Sequence, residues 1–282
     1  MTAIYNFMSN IDFLRNEIFS RYGIVKRARG CFLYTAKGVR LTDLYQEGGR
    51  AILGWGGGSS FTMLKNTLNR GITGSFETGF AYRTQKAVQA LFNSERKVFY
   101  FDSYEKALKA ALLISKEGTS VYRPWQPAGL TWSECSCIIF APPLPWAQNL
   151  FIVAAKPELV SELSSADSDD SDSLLEELLP QQTFIPAPLN SALARSIYDL
   201  IEALQTREEK NWFVYDPVVT KYWERKGPYL FPKIPQEKYT AFVKHCLDCG
   251  IVVSPFYNEP SIVPFGAEFG NFSKLKKNPF EF

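Results

Sequence analysis

The run Gly54-Trp55-Gly56-Gly57-Gly58-Ser59-Ser60 has the glycine content of a loop that wraps a phosphate. A phosphate-cradling loop, however, closes on Lys followed by Ser or Thr, and none is placed here. A turn that needs left-handed backbone is the simpler reading. Cys135, Cys137, Cys246 and Cys249, with His245, are the residue types of a tetrahedral zinc site. Cys135 and Cys137 are separated by one residue, shorter than a zinc knuckle, and Cys246 and Cys249 fall at the expected end of a helix. Free, buried thiols are therefore expected and no metal site. His245 is the single histidine, so a Ser-His-Asp or Cys-His arrangement has one base to draw on. It falls on an expected surface helix, which argues against a nucleophilic hydrolase. Asp167, Asp169, Asp170 and Asp172 offer oxygen ligands, but counting from Asp167 the sixth residue is Asp172 and the twelfth Leu178, where a calcium loop needs Gly and Glu. A solvated loop over 164–173 is expected, with contact to a protein partner as its functional alternative.

The elements that must position these residues follow from periodicity. Phe7, Ile11, Phe13, Leu14, Ile18 and Phe19 recur at helical spacing and predict an amphipathic lead helix ending near Gly23. Residues 31–34 and 39–44 predict a hairpin turning at Lys37-Gly38. Helices are predicted over 61–70, 81–92, 189–204 and 236–247, and a short one over 158–163. Lys97-Val98-Phe99-Tyr100-Phe101 predicts a strand that passes through Asp102-Ser103 into an Ala-, Leu- and Lys-rich helix over 104–115, a joint at which α/β proteins place ligands. Residues 137–140 and 150–155 predict two buried strands about a proline turn, and 251–254 and 261–265 two closing strands.

A chain of 282 residues is long enough for a substantial core, and 46% hydrophobic with 21% charged residues is a globular composition. The net charge of +2 gives no general electrostatic case for nucleic acid or an anionic membrane. The apolar stretch 137–155 is broken by Pro142, Pro143 and Pro145 and carries Gln148 and Asn149, a poor membrane span. Five sparse cysteines and an N-terminal segment unlike a secretory signal lead to the expectation of a cytoplasmic protein.

Ile24 to Tyr34, continuing through Lys37 to Asp43 and on to Ile52-Leu53-Gly54-Trp55, resembles the N-terminal part of class III aminotransferases, the glutamate-1-semialdehyde type above all. Val98 to Leu112 is similar to that family's strand, turn and helix carrying Ser-Gly-Thr-Glu-Ala. Thr183-Phe184-Ile185-Pro186-Ala187-Pro188-Leu189 resembles its Thr-Phe-x-Gly-Asn-Pro-Leu, and the likeness resumes over 151–163 and 250–264. The resemblance implies an α/β chain of fold type I: a reduced aminotransferase-like core, with a small α+β domain formed by both termini. It divides the sequence into 1–55, 56–210 and 211–282, the first and last belonging to the small domain. It implies a homodimer and makes Ser103 and Thr183 vestigial phosphate-site residues, with Trp55, standing where the family has His, lining the crevice.

The departures from the family pattern decide the functional expectation. At the phosphate-binding positions Tyr104 replaces the Gly that permits close approach, and Glu105 sets a carboxylate beside a dianion. The interval before Phe151 is too short for the family's ring-pairing Asp, stacking aromatic and Schiff-base Lys. No catalytic residue is assigned and no cofactor is expected. The expectation is a non-catalytic aminotransferase-fold protein that binds a small metabolite or a protein partner. The alternative is a pyridoxal-phosphate enzyme with a rearranged site, using Lys106 or Lys156.

Overall fold

Leu14 and Ile18 stand about one turn apart on helix α1 (Thr2–Tyr22) and are buried, as the apolar stripe of an amphipathic helix must be. Gly23, at φ +73°, ends the helix by donating its N–H to the Phe19 carbonyl. The structure is a computed structural model that describes residues 2–74, 76–115, 118–126, 129, 131–147, 149–165 and 182–282. The chain divides into two units: Met1–Gly56, Trp125–Pro127 and Thr206–Phe282 make the first; Gly57–Pro124 and Ala128–Gln205 make the second.

In the first unit, β1 (Val25–Arg29), β2 (Phe32–Thr35) and β3 (Arg40–Asp43) form an antiparallel meander, and β10 (Ile251–Val252) joins β3 in parallel. Further on, β8 (Trp223–Lys226), β9 (Tyr229–Pro232) and β11 (Ser261–Ile262) form a second, antiparallel sheet. Between the hairpin at 223–232 and β10 lies helix α7 (Gln236–Asp248), which buries Tyr239, Phe242, Val243, Cys246 and Leu247. The core joins those residues to Leu14, Ile18, Leu41, Leu44, Trp223 and Phe272. After β3 four consecutive residues, Gln46 to Gly49, have positive φ. Asp43 secures the entry to that turn. Its buried carboxylate accepts the Tyr45 and Gln46 N–H groups, each at 2.9 Å, and the Trp55 indole Nε1–H at 2.8 Å.

The second unit holds a four-stranded sheet in the order β4 (Lys97–Phe101), β7 (Phe151–Ala155), β6 (Cys137–Phe140), β5 (Ser120–Val121). β7 runs antiparallel to both neighbours and β5 parallel to β6, so β4, β5 and β6 all point the same way. Every residue of β6, and all of β7 but Phe151, is buried, which is why both segments are uninterrupted apolar runs and not alternating ones. One face is covered by α4 (Tyr104–Ile114), whose Ala107, Ala110, Ala111 and Ile114 sit at helical spacing against Phe99, Phe101, Ile139 and Val153. A second cluster gathers Tyr100, Leu144 and Leu150 with Leu193 of α6 (Ala187–Thr206) and Leu64 of α2 (Gly58–Asn69). Buried hydroxyls link the helices: Thr67 donates to Ser191 at 2.9 Å, and Thr84 of α3 (Phe80–Phe92) donates to the Asn190 carbonyl at 3.0 Å. Arg96, fully buried, spends its guanidinium on the carbonyls of Trp132, Ser133, Cys135 and Ser136, at 2.6–3.3 Å, and so fixes the turn before β6.

The predicted helices and the 97–101, 137–140 and 150–155 strands are present. The strands predicted at 251–254 and 261–265 shrink to two residues each. Helix α5 (Pro157–Ser165) takes in residues 164 and 165 of the expected acidic loop; Asp167, Asp169, Asp170 and Asp172 lie outside the described residues. Among the described residues no helix is long and apolar enough to cross a membrane.

Candidate functional site

Three parallel strands of the second unit, β4, β5 and β6, bring their carboxyl ends to one edge of the sheet, the edge at which α/β folds bind ligands. Residues following those strands decide what the edge does. After β4 come Asp102 and Ser103, and Ser103 caps α4, its hydroxyl accepting the Lys106 N–H at 3.2 Å. Thr183 reaches the same end of the same strand, donating its N–H to the Tyr100 carbonyl at 2.8 Å. Ser103 and Thr183 therefore both lie toward the carboxyl end of β4. Trp55 belongs to the first unit, where its indole N–H is held by Asp43.

Two carboxylates flank Ser103. Glu105 occupies the first turn of α4, and Asp102 precedes the cap and pairs with Lys106 at 2.8 Å. These carboxylates already complement the positive end of the helix dipole, and each repels an incoming dianion. Tyr104 turns its ring onto Phe151, 5.7 Å between centroids, and occupies space that a glycine would leave open. These residues do not fit the phosphate of pyridoxal phosphate.

The other two strand ends are filled with apolar groups. Beyond β5, Tyr122 is buried in an aromatic cluster with Phe92, Trp132 and Phe140, and desolvation pushes its phenol well above the usual range. Beyond β6 the chain runs through Ala141-Pro142-Pro143-Leu144-Pro145-Trp146, and Pro142 to Pro145 are buried. Trp146 rests on Gly57, at φ +67°, where any side chain would run into the indole ring, and meets Phe61 edge to face at 5.5 Å. That contact accounts for part of the glycine run: Gly57 admits a tryptophan. Between Lys116 and Lys156 the sequence holds no lysine. Lys156 itself follows β7, the reversed strand, and donates its N–H to Ser136 at the opposite edge of the sheet. A five-residue strand spans roughly 16 Å, so the Lys156 backbone stands a full strand length from Ser103. Lys106, one turn into α4, is the lysine whose backbone lies beside the cap.

The remaining sequence candidates are placed as follows. Cys135 and Cys137 fall in the second unit, Cys246, Cys249 and His245 in the first, and all five cysteines are free thiols. Burial pushes the Cys31 and Cys137 thiols up to about 11 and that of Cys246 well above its usual value, which leaves them protonated and unreactive. His245 Nε2 lies 2.8 Å from the Asn278 carbonyl, a contact that ties it to the C-terminal segment. Among the described residues no cluster of three or more His, Cys, Asp or Glu could hold a metal ion. The apolar filling of the carboxyl edge was missed in the sequence, where Pro142–Trp146 read as a bare turn; its signal was the absence of any polar side chain where such a joint needs one.

Comparison with known proteins gives the fold a name. No protein-family profile matches the chain. It is 27% identical over 282 residues to an uncharacterized protein of Treponema pallidum (strain Nichols), covering 88% of this chain and 91% of that one. An uncharacterized protein of Borreliella burgdorferi is 24% identical over 261 residues, covering 90% and 89%. Among solved structures, Plasmodium falciparum ornithine δ-aminotransferase superposes with a TM-score of 0.66 at 10% identity over 95% of this chain and 96% of that one. Acetylornithine aminotransferase from Elizabethkingia anophelis gives 0.59 at 11% identity over 93% and 96%. An ω-transaminase from Sphaerobacter thermophilus gives 0.61 at 10% identity over 89% and 90%.

Proposed function

We propose that this chain, which has the fold of the pyridoxal-phosphate-dependent aminotransferases, is a non-catalytic protein that acts by binding, as a homodimer in the cytoplasm. The observation that carries this reading is the carboxyl edge of the β4–β7–β6–β5 sheet, where the turn leaving β6 is Pro142-Pro143-Leu144-Pro145 and is buried. Transamination needs a lysine amine to carry the substrate's nitrogen chemistry, and no other side chain does that work. The charge pattern supports the same reading, because Asp102 and Glu105 flank the one hydroxyl cap that a phosphate would use. Fold likeness alone assigns no activity.

A second reading is favoured by one observation: Ser103 and Thr183 both lie toward the carboxyl end of β4, with Lys106 one turn beyond Ser103. A pyridoxal-phosphate enzyme with a rearranged site would have to use Lys106, since Lys156 starts from the opposite edge. Titration of the purified chain with pyridoxal phosphate, scanned for a shifted aldimine absorbance and repeated after borohydride, separates the two. The expected result is no saturable band and no reduced adduct. A saturable band fixed by borohydride to the peptide containing Lys106, and absent from K106A, would overturn the non-catalytic reading.

A further inference from the structure

Within the first unit, Arg207 stands in an unusual setting. Its guanidinium carbon lies 4.1 Å from the centroid of the Phe265 ring and 5.3 Å from that of Trp125, both within cation–π range. Nη1 donates to the Ile52 carbonyl at 2.9 Å. Among the described residues no carboxylate pairs with it, and no second acceptor takes its remaining N–H groups. Burial lowers its pKa to about 10, the mark of a cation removed from water without an anion to compensate.

The walls of this setting are fixed by backbone geometry. Trp125 has φ +59°, a costly conformation for a bulky residue and one that calls for an explanation in function. Its carbonyl is admitted by Gly227, at φ +58°, where any side chain would run into it. Gly266, at φ +80°, follows Phe265. The indole Nε1–H of Trp125 is itself buried without an acceptor. Phe265 is 44% exposed and Arg207 half-buried, so the cluster is open to solvent on one side.

We propose that Arg207, walled by Trp125 and Phe265, is a binding site for a small molecule carrying an oxyanion, carboxylate or phosphate. Aromatic rings meet a guanidinium through its flat faces, which leaves the in-plane N–H fork for a bidentate partner. The aromatic walls favour a ligand with a flat or apolar body next to the anionic group. The site is built from residues 52, 125, 207 and 265 alone, so its failure leaves the reading of the β4–β6 edge untouched.

The test uses the full chain titrated with benzoate and, separately, with inorganic phosphate, against chloride at matched ionic strength. Thermal midpoint and tryptophan fluorescence are followed. A saturable rise in midpoint with benzoate or with phosphate, and not with chloride, is expected; whichever of the two saturates identifies the oxyanion. R207K keeps the charge and loses the fork, and is expected to need about tenfold more ligand. R207M is expected to lose the response, its folding being checked by near-ultraviolet circular dichroism. No saturable rise in the wild-type chain, or a response in R207K equal to wild type, would overturn the site, and neither outcome requires R207M to fold.

Discussion

Asp43 is a carboxylate only 2% exposed, and it is met by three N–H donors. Burial nonetheless outweighs those bonds and holds its pKa above the ordinary range. An acid whose folded pKa is raised binds its proton more readily in the folded state. Its stabilising contribution is therefore full below the unfolded value of about 3.9 and is lost as pH rises through the folded value. Replacing Asp43 by Asn keeps Oδ1 as an acceptor for Tyr45 and Gln46 but turns an N–H₂ toward the Trp55 indole N–H. D43N should cost about 1–3 kcal/mol in urea unfolding near that acid limit, and the cost should shrink as pH is raised through the folded value. Pairing it with W55F, which removes the opposing donor, should recover part of the loss. Additive costs for the two changes would mean that the indole–carboxylate bond contributes nothing.

Gly57 has a clear assignment among the turns. G57A should displace Trp146 and cost about 1–3 kcal/mol, with a change in tryptophan emission, because a side chain there meets the ring. G56A, at φ +105° with open space around it, should cost stability through backbone strain while leaving the emission alone. Equal spectra for the two variants would deny Trp146 its seat. How much of this was legible in the sequence varies with the element. α4 was readable because its alanines repeat at helical spacing, and β6 and β7 because burial on both faces demands apolar runs. The β8–β9 hairpin escaped because Arg225, on the inward-facing side of β8, breaks the alternation; it is kept there by Asp216 and Glu209, at 2.5 Å each. β1 escaped because four of its five residues are exposed, so no apolar face marks it. Ser103 and Thr183 could be named only through the resemblance of residues 98–112 and 183–189 to the aminotransferase pattern. The setting of Arg207 could not, since residues 52, 125, 207 and 265 are distant in sequence and none carries a motif.

Each of the two units has its own hydrophobic clusters, and the chain carries a net charge of only +2, which gives copies little cause to repel one another. The second unit exposes Phe61 and Leu68 on α2, Phe76 beyond it and Tyr82 on α3, with Phe76 89% exposed. Apolar side chains at this density suit an interface between copies. Light scattering on the eluting protein should return twice the chain mass of 32.0 kDa at micromolar concentration. A mass of one chain would remove the homodimer from the proposed function and leave those aromatics for another partner.

The placement of β7 between β4 and β6 has a consequence for synthesis. Among the described residues β4 pairs in its sheet with β7 alone, and β7 leaves the ribosome about fifty residues later. At roughly 5–20 residues per second the segment Lys97-Val98-Phe99-Tyr100-Phe101 waits several seconds with no strand to pair with. It is short, rich in aromatic and β-branched residues and free of proline, the makeup of a segment that pairs with whatever strand is nearest. The nascent chain thus carries that segment without its pairing strand throughout the interval between β4 and β7.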